Sequence, residues 1–141
     1  MGNLLDKSKL LAKEKLEIVQ VVLPNGDFVY VRQMTGRDRD NFEQSLIKEV
    51  KNSKGVIDYE RSLGDFRAKL AVITLCDEKG ALLLEPNDYV RLSQNMSART
   101  LETIVNVAQE LNKISEEDKE ALVKNSDAVQ DGNSNSGSVG T

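Results

Sequence analysis

The chain predicts an α+β fold, mainly α: an N-terminal β-hairpin packed on a bundle of about four to five helices, with a disordered C-terminal tail. Three observations predict it. An alternating apolar run is broken by Pro-Asn-Gly-Asp at 24–27; segments with apolar residues at helical spacing follow, each opened by a capping residue; and the last residues exchange large apolar side chains for Gly, Ser and Asn. A chain of 141 residues amounts to about one domain and buries a modest core. That core is aliphatic, since Trp is absent and aromatics make up 4%.

Composition also excludes function classes. The net charge is −4 and the basic residues are interleaved with acids, so no face offers the clustered Lys and Arg that nucleic acid requires. No run approaches the roughly 18 apolar residues of a membrane span, and the opening "MGNLLD" has Asp6 where a myristoylation motif wants Ser or Thr. Neither nucleic acid nor membrane is an expected partner. Cys76 is the lone cysteine, which implies a reducing, intracellular compartment; inside "LAVITLC" it reads as a small core residue. With no His, the commonest general base and a preferred zinc ligand are both missing, so no catalytic, cofactor or metal site is expected.

Along the chain, residues 1–16 form an amphipathic arm. Leu4, Leu5, Leu10, Leu11 and Leu16 stand among lysines with imperfect helical spacing, and so short a helix needs a surface to dock on. The globular domain spans 17–124. Its hairpin, 17–33, turns at Asn25-Gly26, a pair that tolerates the positive φ angles of a tight turn. Thr35 then caps a helix over 36–50, with Asp38 completing the capping arrangement and Phe42, Leu46, Ile47 and Val50 as its apolar stripe. Arg37, Arg39 and Asp40 fall on its solvated side.

The stretch 50–59 carries Asn, Ser and Gly and reads as an exposed loop. Ser62 with Asp65 repeats the cap ahead of a buried helix over 62–76, weakened by the β-branched run near its end. "DEKGALLLEPND" fails as a calcium loop: from Asp77 the third and fifth positions hold Lys79 and Ala81, and Gly80 comes too early. It reads as a turn and a short extended piece before a helix over 87–94. Ser97 opens the helix 98–111, whose Leu101, Ile104, Val105, Ala108 and Leu111 share a face, with Asn112 as terminator; Ser115 and Asp118 open a last helix over 115–124. Residues 125–141 are too poor in apolar groups to offset their ordering entropy and form a tail or linker.

Acid pairs such as Glu116 with Glu117, or Asp38 with Asp40, match capping and dipole preferences far better than acid and base chemistry, so the chain is expected not to be an enzyme. The residues expected to meet partners are Leu4, Leu5, Leu10 and Leu11 on the arm, Val19 and Val21 on the hairpin, and Arg37 and Arg39 at the helix start. The open hairpin edges and the arm also predict weak homo-oligomers, arranged head to tail.

In order, "VVLPNGDFVYVRQMTGRDRDNFEQ", an Arg-Ala helix start at Arg67 and Ala68, the "DEKG" turn at 77–80, Leu111 with Asn112, and Lys124, Asn125 and Ser126 resemble the tail assembly chaperones of long-tailed bacteriophages over about residues 17–126. Two positions depart from the family pattern: Asp38 stands where Glu is frequent, and Lys113 where the helix end often carries Gly. The resemblance implies a non-enzymatic protein of the host cell cytoplasm that binds the tape-measure protein, keeps it soluble, helps recruit tail tube protein, and is absent from the mature virion. It also implies a longer, frameshifted form as a partner. A structural tail or connector subunit of the virion is the alternative.

Overall fold

The computed structural model describes residues 2–51, 57–61, 65–115, 117, 118 and 121. Within the arm only a five-residue helix, α1 (Lys7–Leu11), forms, capped by the Asp6 carboxylate on the Lys9 N–H, and it buries none of its residues. Short helices without a docked face gain too little to propagate, which is why the expected longer helix stops at Ala12.

β1 (Ile18–Val22) and β2 (Phe28–Arg32) pair antiparallel, with Val22 opposite Phe28. The loop between them differs from a two-residue turn. The Gly26 N–H donates to the Leu23 carbonyl and the Leu23 N–H to the Asp27 carbonyl, so Pro24 and Asn25 occupy the turn centre and Gly26 alone takes positive φ, at 96°. Proline's fixed φ suits the first central position of a type I turn, and glycine then supplies the left-handed residue that returns the chain to the ladder. A third strand, β5 (Leu75–Cys76), adds to β2 through Tyr30 opposite Cys76 and Val31 opposite Leu75. The sheet order is β1-β2-β5.

α2 (Gly36–Ser45) starts as expected, with the Thr35 hydroxyl accepting from the Asp38 N–H and the Asp38 carboxylate from the Thr35 N–H. It ends five residues short of the expectation. Ser45 Oγ donates back to the Phe42 carbonyl and Lys69 Nζ takes the Ser45 carbonyl, closing the terminus there. Beyond it, in place of more helix and a loop, β3 (Ile47–Lys51) pairs antiparallel with β4 (Ile57–Arg61) as a separate two-stranded sheet. The intervening part of the expected loop lies outside the described residues, as do Ser62 and Leu63.

α3 (Phe66–Thr74) is shorter than expected at both ends. Asp65 precedes it at φ 65° without a side-chain cap, and Leu75 and Cys76 leave the helix for the sheet, where a β-branched run gives way to cross-strand packing. A 3-10 turn (Pro86–Asp88), boxed by Glu85 and Asp88, leads into α4 (Tyr89–Asn95). α5 (Ala98–Leu111) matches its expected bounds and is capped by Ser97. Its C-terminus is a Schellman motif: the Ile114 N–H reaches the Gln109 carbonyl at 2.8 Å, the Lys113 N–H reaches Glu110, and Lys113 takes φ 57°. That is the position where glycine is favoured and this chain has lysine. Of the expected last helix, 117, 118 and 121 are helical behind a Ser115–Asp118 capping box; the rest, with the expected tail, lies outside the described residues.

The core fills the space between the inner sheet face and the helices. Val21, Val31 and Leu75 meet Leu101, Ile104, Val105 and Ala108 of α5, with Phe66, Leu70 and Ala71 of α3 alongside. Phe42 and Phe66 lock α2 to α3 edge to face, 5.4 Å between centroids.

Candidate partner-binding site

Residues that carry the family resemblance meet at one corner of the molecule. Arg32, at the end of β2, spans it: one guanidinium nitrogen donates to the Gly80 carbonyl and the other to the Asp38 carboxylate, each at 2.7 Å, with the ion pair largely buried. Asn112 ties the same corner to the end of α5. Its side-chain oxygen accepts from the Met34 N–H at 2.7 Å and its amide nitrogen donates to the Ala108 carbonyl. Arg39 pairs with Glu43 and reaches the Asn112 carbonyl. The "TGRDRD" helix start, the "DEKG" turn and the "ELN" helix end are therefore one polar clasp, in which charge-assisted bonds from Arg32 and Arg39 and an amide bond from Met34 to Asn112 hold segments roughly 40–80 residues apart.

The 77–81 turn is built for its place in the clasp. The Asp77 carboxylate accepts from the N–H groups of Ala81 and Lys79, which hold its carboxyl below the usual range. Gly80, at φ 93°, lies so close that a Cβ would meet Ile18 Cδ1 at 3.2 Å. Asp118 is likewise held below its ordinary value by its Ser115 bonds. Burial pushes the Cys76 thiol up, as befits a core residue and not a nucleophile.

The clasp redistributes the residues expected to meet partners. Arg37 stays exposed, whereas Arg39, expected on a solvated side, is half-buried and bonded internally. Val21 is 4% exposed within the core, because its side chain faces α5, and Val19 on the same face is half-buried. On the arm, Leu4, Leu5, Leu10 and Leu11 are all exposed, Leu4 almost completely. The outer sheet face leaves Val22 and Phe28 more than half exposed, with Phe28 edge-on to Tyr30.

Sequence reading missed two features. Arg32 and Asn112 each looked like ordinary element ends, since a bond between residues 78 positions apart leaves no periodic signal. A groove of about 430 Å³ between α2, α3 and the 82–89 segment was also missed; Phe42, Ile73, Leu82, Leu84 and Tyr89 line it, and Lys69 lies 5.0 Å over the Tyr89 ring. The "ALLL" run was its one sequence signal. Among the described residues, no cluster of His, Cys, Asp or Glu is suited to hold a metal ion, and no helix is long and apolar enough to cross a membrane. The described surface thus exposes apolar side chains on the arm and the outer sheet face, beside the apolar lining of the groove.

No family model and no curated protein matches this sequence. Among solved structures, the chain is similar to the tail assembly chaperone of bacteriophage HK97, with a TM-score of 0.48 and 14% identity over 74% of this chain and 95% of that one.

Proposed function

We propose that this protein is a tail assembly chaperone of a long-tailed bacteriophage: it binds the tape-measure protein in the host cell cytoplasm, keeps it soluble, helps recruit tail tube subunits and is absent from the finished virion. The observation that carries the reading is the sequence resemblance, since its central motifs, scattered from Thr35 to Asn112, also work together in a single clasp. Residues that only cap separate helices have no reason to keep one order and spacing; residues that jointly hold a corner do. The exposed arm leucines, with Val22 and Phe28, supply apolar surface of the kind an aggregation-prone client needs.

Coexpression with the tape-measure protein of the same phage tests this reading. The expected result is that an insoluble client becomes a soluble complex that copurifies with this chain, and that replacing Leu10 and Leu11 with Asp weakens capture. An unchanged, insoluble client with no complex overturns the assignment. Recovery of the chain from purified virions would instead favour the structural tail or connector subunit. A longer frameshifted form would appear as a second, heavier product of the same gene.

A further inference from the structure

We infer that β1 is the pairing edge of a two-fold dimer, in which the β1 strands of two copies run antiparallel about Gln20 and join two three-stranded sheets into one. This stands whether or not the chaperone reading holds. Among the described residues β1 is an outer strand, paired only with β2. At the ends of that ladder the bonds are made by Glu17 with Gln33 and by Leu23 with Asp27, so the odd-numbered residues face β2. The N–H and C=O groups of Ile18, Gln20 and Val22 therefore point to the open side.

Sheet edges that stay unpaired are normally blunted by a charge, a proline, a bulge or a covering element. Ile18–Val22 is "IVQVV": it has no charge and no proline, and its five residues pair with β2 without a bulge. The same strand is complementary to itself. With Gln20 opposite Gln20 of the second copy, the outward-pointing groups of both strands meet as a hydrogen-bonded pair, and Ile18 falls opposite Val22 of the second copy on the outer face. No like charges oppose one another within the strand. Val22, 62% exposed in the single chain, gains an apolar neighbour. An isologous contact of this kind closes at two copies, in contrast to the head-to-tail arrangement expected from the arm.

Sedimentation of the full chain from low micromolar to near-millimolar concentration should show the average mass rise about twofold from the 15.6 kDa monomer and stop there. Gln20→Pro removes an N–H that points away from β2, and Gln20→Lys places like charges opposite each other; both should abolish the rise while leaving circular dichroism and melting unchanged. Should Gln20→Pro disturb the fold, Gln20→Lys alone carries the test. Gln20→Cys should form a disulfide-linked dimer on mild oxidation, Cys76 being buried. A monomer throughout, a dimer that survives Gln20→Lys, or a mass that climbs past two copies each overturns the proposal. So does a monomer in which Gln20→Pro abolishes client capture, since the edge then belongs to a client strand.

Discussion

The two hairpins of this chain have the same backbone arithmetic and opposite fates. β1–β2 and β3–β4 are each made of five-residue strands in antiparallel register. The first carries valines on alternate positions, gains β5 as a third strand and lies on α5, with Val31 fully buried between them. The second, among the described residues, is a two-stranded sheet that continues directly from α2. Pairing by itself is worth little in water, because strand and solvent hydrogen bonds nearly balance; a third strand and a buried face make a hairpin part of a cooperative core.

Amide hydrogen exchange is the most direct way to break this comparison. Protected amides of β1 and β2 should exchange at least about a hundredfold more slowly than those of β3 and β4, because the third strand ties the first pair into a larger ladder and the second pair has none among the described residues. Equal protection would mean the second hairpin is held as firmly as the first. Next in size, Val31→Ala should cost about 2–3 kcal/mol in denaturant unfolding, the loss of a fully buried aliphatic group plus a cavity. A cost under about 1 kcal/mol would show that the sheet contributes little to the core.

Asn112→Ala sharpens the same contrast at the clasp that fastens β2 to α5. It leaves the Met34 N–H without its acceptor and should cost about 1–3 kcal/mol, measurable by thermal or urea unfolding, whereas the exposed Arg37→Ala should change stability by less than about 0.5 kcal/mol. A reversed ranking would contradict the clasp. The smallest effect has the opposite sign: Lys113→Gly should stabilise by about 1 kcal/mol, because a left-handed residue without Cβ ends α5 unstrained. No gain would indicate that the lysine side chain compensates.

How legible the molecule was depended on the range of the physics. By itself the sequence determined the elements whose signals are local: that a hairpin reverses within Pro24–Asp27, though not the turn's centre, the caps at Thr35 and Ser97, the full length of α5, the Pro86 helix entry and the burial of Cys76. Caps and turns are decided by a side chain and backbone groups within about four residues, so composition and spacing reveal them. Only the tertiary structure decided where α2 and α3 stop, that Leu75 and Cys76 become a third strand, and that Val21 and Arg39 turn inward. It also brought Arg32, Asp38, Gly80 and Asn112 to one corner. Those outcomes rest largely on partners far along the chain: Lys69 takes the Ser45 carbonyl from 24 residues away, Arg32 finds Gly80 at 48 and Met34 finds Asn112 at 78. Contacts at such separation set no period along the chain; they exist only once the core has closed around Val31, Leu70 and Ile104.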